Sequence, residues 1–290
     1  DLHSANEAAR IYATLALVDH GTASLNPVFD HYFPGWQKRG RPPNMDVAVR
    51  DGQYLLDKAP GLSLLSVPVV FALRLVGAQP RYATLTWLLT AVLCAVPTVL
   101  VMLWLWGWVA RQLGERAALV VPALVLASPW ALYAGMLFGH ALAAALTALG
   151  IALVLGGLAA TDDPPAARRA PLLGGLALGG GVLVEYPVAV VVIAALAALA
   201  SDAQRRRRLP WVVLGGLGPA AVLLIWNHVV FGGPLTFSYG FKAQSQLAAT
   251  HAEGIYGIGW PGAEAVWGLL GSARRGLLVA APWLAAGLLA

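Results

Sequence analysis

The sequence predicts an all-α, polytopic membrane protein, with about seven transmembrane helices in this stretch of chain and external juxtamembrane helices ahead of them. Three observations predict it. Only 11% of the 290 residues are charged and 59% are hydrophobic, whereas a soluble domain carries about a quarter charged residues to keep its surface wet. Mean hydropathy is +0.70. Beyond residue 83, apolar stretches follow one another, and among the short connections between them Lys and Arg recur only in every second one.

Residues 1–82 form the external part of this plan. Ser4 and Glu7 have capping-box spacing and open a helix that runs to about His20, with Gly21 as its stop. Residues 22–58 are rich in Pro, Gly, Asp and Arg and read as ordered loop with short helices. The apolar stretch 59–77 is interrupted by Pro68 and Arg74. It is short for a crossing and suits an interfacial or re-entrant helix.

Residues 83–290 form the transmembrane domain. Spans are expected at 83–110, 117–133, 138–159, 171–184, 187–200, 209–230 and 276–290, with a long external loop at 231–275. Glycine is frequent in them, as in helices that pack closely in a membrane. The connection 111–116 holds Arg111 and Arg116, 160–170 holds Arg168 and Arg169, and 201–208 holds Arg205 to Arg208. The connections at 134–137 and 185–186 hold no Lys or Arg. By the positive-inside rule the arginine-bearing loops are cytoplasmic. Residue 83 then starts outside and, if 59–77 does not span, so does the whole N-terminal segment. The chain begins at Asp1, and no hydrophobic segment precedes the polar stretch; we expect an upstream anchoring helix.

Several function classes fall away. The net charge of +5 is spread over short loops and the N-terminal segment, without the aromatic interleaving of single-strand binders, so no nucleic-acid partner is expected. Cys94 is the one cysteine, which excludes a disulfide framework and a thiolate metal site. No HExxH, P-loop or nucleophile elbow occurs, against protease, ATPase and serine hydrolase readings.

The chemistry-bearing residues gather on the side assigned as external. Asn6, Glu7 and Arg10 share the first helix, and Asp57 and Lys58 precede the apolar hairpin. His140 and Glu185 lie at outer span ends, as do Asn227 and His228, while Tyr239, Lys242, Arg274 and Arg275 flank the long loop. Ionisable groups near the bilayer are costly and so become functional candidates. Glu7 and Arg10, three apart, share a helix face. Glu7 could serve as a general base or only complete the capping box. Lys58, Arg274 and Arg275 suit a phosphate at headgroup level, or simply snorkel. Glu185 could mark a turn, and His140 could carry protons or cap a helix end.

In this order the residues resemble the GT-C superfamily of membrane glycosyltransferases, which contains protein O-mannosyltransferases and lipid A aminoarabinose transferases. HSANEAARIY (3–12) looks like its acidic motif in the first external loop, and LDKAPGLSLL (56–65) like its Lys-Pro-Pro-like element. The stretches 110–129, 226–241 and 272–283 look like later elements. The resemblance implies transfer of a sugar from a polyprenyl-phosphate donor to a glycan, lipid or protein acceptor at the outer face of a cell-envelope membrane. It implies Glu7 as the motif's second acid and Lys58 as partner of the lipid phosphate; the first acid position is Asn6 here. Arg10, Arg274 and Arg275 are further candidates for phosphate or sugar contact. No cofactor is required by the motifs, and a divalent metal remains compatible. A multi-pass transporter and a non-catalytic envelope-assembly protein are the alternatives. The Ala/Gly/Arg-rich composition points to a bacterial inner membrane.

Overall fold

The computed structural model describes residues 4–155, 164–243, 259–274 and 276–282. The first helix, α1 (Ala5–His20), starts and stops as its sequence dictates. Ser4 Oγ accepts from the Glu7 N–H at 3.2 Å, and the Glu7 carboxylate accepts from the Ser4 N–H at 3.1 Å. Gly21 closes the helix with φ 62°, a left-handed conformation that glycine adopts without a Cβ penalty.

After α2 (Asn26–Tyr32), the segment expected to be loop and helix contains a β-hairpin, so the chain is mostly helical rather than all-α. Strands β1 (Val47–Arg50) and β2 (Gln53–Leu56) pair antiparallel from Val47↔Leu56 to Arg50↔Gln53. The two-residue turn is Asp51-Gly52, with φ 50° and 74°. This is the positive-φ pair that matches strand twist and favours Asp-Gly. The hairpin buries Ala48 and Leu55 against Trp226, Val230 and Phe231.

Helix α3 (Gly61–Leu75) is 15 residues long, too short for the roughly 20 that span a bilayer core. It packs along α1 through a polar seam: Thr14 Oγ1 and Ser63 Oγ both donate to the Arg10 carbonyl, at 2.9 and 3.2 Å. Next, α4 (Tyr82–Thr90) runs through a single π-helical turn, Ala91–Ala95, into α5 (Val96–Leu113). The continuous helix Tyr82–Leu113 has 32 residues with a window of hydropathy 2.4.

The expected span 117–133 is instead three short helices, α6 (Glu115–Ala118), α7 (Val120–Leu126) and α8 (Pro129–Ala134). The break before α8 has a local cause, since Ser128 Oγ caps the Trp130 N–H at 3.2 Å with Pro129 in the first turn. Then come α9 (Gly139–Leu155), α10 (Pro164–Val184), α11 (Val188–Ser201) and α12 (Leu209–Phe231), the last preceded by a 3-10 turn over Arg205–Arg208. Two short helices, Ala263–Leu270 and Leu277–Ala280, complete the described chain; the rest of the expected span 276–290 lies outside the described residues.

Among the described residues two helices, Tyr82–Leu113 and Arg205–Phe231, are long and apolar enough to cross a membrane. Only 22% of each apolar window is buried, which is not how a soluble core helix sits. Helices α9, α10 and α12 pack side by side, with Val154, Leu178, Leu199 and Val212 forming a shared core with α11. A Cβ at Gly175 would strike the Val212 carbonyl, and one at Gly215 the Leu172 carbonyl. The small residues therefore set how closely α10 and α12 approach.

The alternation of these helices sorts charge. His140, Glu185 and Asn227 lie at one end. At the other, Arg208 donates to the Val154 carbonyl at 2.9 Å, and the Arg168 guanidinium sits 5.2 Å from the Trp211 ring centroid.

Candidate functional site

Two ionic clusters occupy the Glu185 end. The first is built on α1. Arg10 is 2% exposed and donates from Nη2 to Glu185 Oε1 at 2.8 Å and from Nε to Asn6 Oδ1 at 3.0 Å. Glu185 ends α10, its main-chain N–H still bonded to the Gly181 carbonyl. His140, at the start of α9, brings Nδ1 to 3.6 Å from the same Glu185 oxygen. Gly139 makes this possible, because a Cβ there would collide with the Glu185 carboxylate. Arg10 Nη1 is buried with no hydrogen-bond partner among the described residues. The site therefore holds an unspent donor on a charge that burial makes costly to leave unpaired. Glu185 also borders a groove of about 480 Å³ that His140, Thr147 and Pro187 help to line.

The second cluster is built by the hairpin register. Pairing Val47 with Leu56 brings Asp46, just before β1, beside Asp57 and Lys58, just after β2. The late segment Ser238–Phe241 folds onto the same edge. Lys242 bridges antiparallel to Ala48, the Ala243 N–H donates to the Val47 carbonyl at 3.0 Å, and Ser238 Oγ donates to the Asp57 carbonyl at 3.0 Å. Lys58 Nζ thereby reaches Asp46 at 2.6 Å and Asp57 at 3.3 Å, while Lys242 Nζ closes on the fully buried Asp57. Lys242 also lies over the Tyr239 ring at 5.2 Å, and Tyr239 meets Tyr186 edge to face at 5.4 Å.

Two carboxylates and two ammonium groups balance in charge but not in environment. Burial pushes the Asp57 carboxyl up, against the pull of Lys58 and Lys242. Burial acts on Asp46 in the same sense, but the hydrogen bond and charge of Lys58 outweigh it and hold Asp46 below the usual carboxylate range. Lys58 is raised: burial opposes its charge, and Asp57 and Asp46 together prevail. Burial also raises the Tyr239 hydroxyl, whose neighbouring charges include Glu185, Lys58, Asp57 and Arg10. Tyr239 thus feels both clusters.

The sequence-expected residues divide accordingly. Arg10, Asn6, His140 and Glu185 come together, as do Asp57, Lys58 and Tyr239. Glu7 stands apart in role. It is 7% exposed, and both its oxygens are engaged, Oε2 by the Ser4 N–H and Oγ and Oε1 by the Leu137 N–H at 3.1 Å. It ties the start of α1 to the turn before α9. Arg274 is exposed and joins neither cluster among the described residues, and Arg275 lies outside the described residues. Sequence reasoning missed Asp46 and gave Lys242 no partner; the Asp51-Gly52 turn, which fixes the hairpin register, was the available signal. No group of three or more His, Cys, Asp or Glu among the described residues could hold a metal ion.

A third feature runs down from this end. An apolar groove of about 690 Å³ lies between α3, α5, α9 and α10, walled by Leu65, Leu100, Trp104, Leu146 and Leu183. Its upper wall, Leu183 and Val184, leads directly into Glu185.

Comparison with known proteins returns no match: no family model fits the chain, and no curated protein and no solved structure matches it.

Proposed function

We propose that the protein is a membrane glycosyltransferase of the GT-C kind, moving a sugar from a polyprenyl-phosphate donor to an acceptor hydroxyl at the outer face of the membrane. The remaining apolar helices complete a multi-pass bundle of about seven crossings in this reading, despite their modest lengths. One observation carries the proposal. The Arg10–Glu185–His140 cluster follows directly on Leu183 and Val184, which wall an apolar groove of about 690 Å³, an arrangement suited to a ligand with a charged head and a hydrocarbon tail.

The chemistry needs a base for the acceptor and cations for the leaving phosphate. Glu185 is the better-placed base, because the Glu7 oxygens are occupied by Ser4 and Leu137. As the acceptor oxygen bonds to the anomeric carbon, its proton passes to Glu185 and the bond from that carbon to the phosphate oxygen breaks. The electron pair leaves on the lipid phosphate. The free Nη1 of Arg10 then meets the developing charge, with Lys58, just after the hairpin, as a second cation once it shifts from Asp46 and Asp57. Asn6 supports Arg10 without neutralising it, since its amide oxygen accepts from Nε and carries no charge. The departure from the family's acidic pattern at Asn6 thus leaves Arg10 with one counter-charge, Glu185, on its bonded side chains.

The test is incubation of the detergent-purified protein with short-chain polyprenyl-phosphate sugars, measuring release of polyprenyl phosphate. Release by the wild type, a fall of about 100-fold or more in Glu185→Gln and near-normal turnover in Glu7→Gln is the expected pattern. Equal release by Glu185→Gln and wild type overturns the assignment of Glu185. No release from any polyprenyl-phosphate sugar overturns the function.

A further inference from the structure

A second pocket lies on the opposite side of α1. Tyr12 follows Arg10 by two residues, roughly 200° around the helix, and so looks away from Glu185. With Tyr32, Phe33, Arg74, Gln79 and Arg81 it encloses about 470 Å³ between α1, α2 and the connection from α3 to α4. That volume is within the range of about 300–1,000 Å³ typical of small-molecule sites.

The walls are of two kinds. Tyr12, Phe29 and Phe33 pack edge to face at 5.7–6.4 Å, so the aromatic side is rigid. On the polar side, Arg74 is spent: Nε and Nη2 bind both oxygens of Asp19 at 2.8 and 2.9 Å, and Nη1 donates to the Ala78 carbonyl at 3.2 Å. Arg81 is not. It is exposed, sits immediately before the first turn of α4 and joins no ion pair among the described residues. The surroundings set its depth. Leu75 and Val76, which follow the pocket residue Arg74 in the chain, and Trp87 on α4 are 71%, 78% and 70% exposed, and Arg81 precedes the longest apolar helix. On the membrane reading, this is headgroup level, where cations and aromatic rings collect.

We propose that this pocket binds a phosphate ester bearing a small polyol, with Arg81 holding the phosphate and the aromatic wall packing on the polyol carbons. A guanidinium is suited to phosphate because its planar fork can bond two oxygens at once. The source is either a phospholipid headgroup in the surrounding leaflet or a soluble glycerol or sugar phosphate. The proposal rests on the membrane placement of α4 but not on sugar transfer.

The experiment is calorimetric titration of delipidated, detergent-purified protein with three probes: dihexanoyl-phosphatidylglycerol, glycerol 1-phosphate and phosphate-free dihexanoylglycerol. Wild type, Arg81→Ala and Arg81→Lys are compared, with thermal melts confirming that each variant is folded. Saturable binding of at least one phosphate ester is expected, weakened tenfold or more in Arg81→Ala and less in Arg81→Lys. Phosphatidylglycerol binding tenfold tighter than glycerol 1-phosphate identifies the lipid as source, and comparable affinities identify the soluble ester. Undiminished binding to Arg81→Ala, equal binding of dihexanoylglycerol, or no binding of either ester overturns the site. None of these readings depends on turnover, so a failed transferase assay leaves the result interpretable.

Discussion

Arg10 and Glu185 are 175 positions apart in the chain, yet their side chains meet at 2.8 Å with the guanidinium 2% exposed. Truncating one partner strands the other. Glu185→Ala is expected to destabilise the protein by on the order of 3–5 kcal/mol, because the arginine stays buried without its counter-charge. Thermal melts in detergent check this. The double variant Arg10→Met/Glu185→Leu should recover much of the loss, since it removes both charges while keeping bulk. A double variant as unstable as the single would mean that packing, and not the ion pair, is what Glu185 supplies.

Glu7→Ala removes the side-chain half of the capping box, the acceptor of the Ser4 N–H, together with the acceptor of the Leu137 N–H. Losing the reciprocal cap costs about 1 kcal/mol, and an unmet buried donor adds about 1–3 kcal/mol. Glu7→Gln keeps one acceptor oxygen, enough for the Leu137 N–H or the Ser4 N–H but not both, and should therefore lose less stability than Glu7→Ala. Any loss of transfer in Glu7→Gln beyond its loss of fold would return Glu7 to the reaction.

Asp57 is the hinge between the hairpin and the late segment, since it binds Lys58 and Lys242 and its carbonyl accepts from Ser238. In Asp57→Ala two cations face each other with one carboxylate, Asp46, between them. Hydrogen exchange at the Ala243 amide, which is bonded to the Val47 carbonyl, should accelerate while amides in the middle of α12 stay protected. Unchanged exchange at Ala243 would show that backbone pairing alone holds this segment.

The Asp19–Arg74 pair gives an acid-side signature. Hydrogen bonds from Arg74 hold the Asp19 carboxyl below its usual range, with the charges of Arg74, His20 and His31 adding and partial burial opposing. A folded-state pKa below the unfolded value means that the stabilisation is complete above the unfolded pKa, about 3.9, and disappears as pH falls through the lowered folded value. The difference in melting temperature between wild type and Asp19→Asn should therefore be present at about pH 5 and above and shrink below about pH 4. A pH-independent difference would rule the ion pair out as its cause.

Gly215→Ala tests the close approach of α10 and α12. The added methyl meets the Leu172 carbonyl, a backbone atom with no rotamer to escape into. Overpacking of this kind costs about 1–3 kcal/mol or more, read as a lower melting temperature. Gly218→Ala, where the same methyl meets open space, should be neutral or slightly stabilising and serves as the control.

Local signals were the legible ones. The capping box at Ser4 and Glu7 and the stop at Gly21 stand where the sequence puts them, because each is decided within a turn of helix. The 59–77 stretch is a short helix, as its length required. The hairpin went unread although Asp51-Gly52 is a strong turn signal, because each strand is four residues long and Val47 to Arg50 has no strict alternation. The stretch 117–133 looked continuous by hydropathy, which does not register what Ser128-Pro129 does to backbone bonding. In the site, side chains could be nominated but not paired. Nothing local to Lys242 says that it meets Asp57, since that contact depends on strand addition across 185 positions. Glu7 was nominated for its charge, and its surroundings made it a fastener.

The π-helical turn at Ala91–Ala95 makes the longest helix a shaft with a built-in offset. A wide turn slips one extra residue into the helix, so α4 and α5 present stripes out of phase by about 100°. That phase lets Leu85 and Leu89 join the core of the α1 region while Thr98, a few turns on, accepts from the Trp130 indole at 3.1 Å. Excising one residue from this turn would leave the composition of the helix almost untouched and its hydropathy unchanged. It would nonetheless rotate one half of the shaft against the other, and one of the two partners would lose its mate.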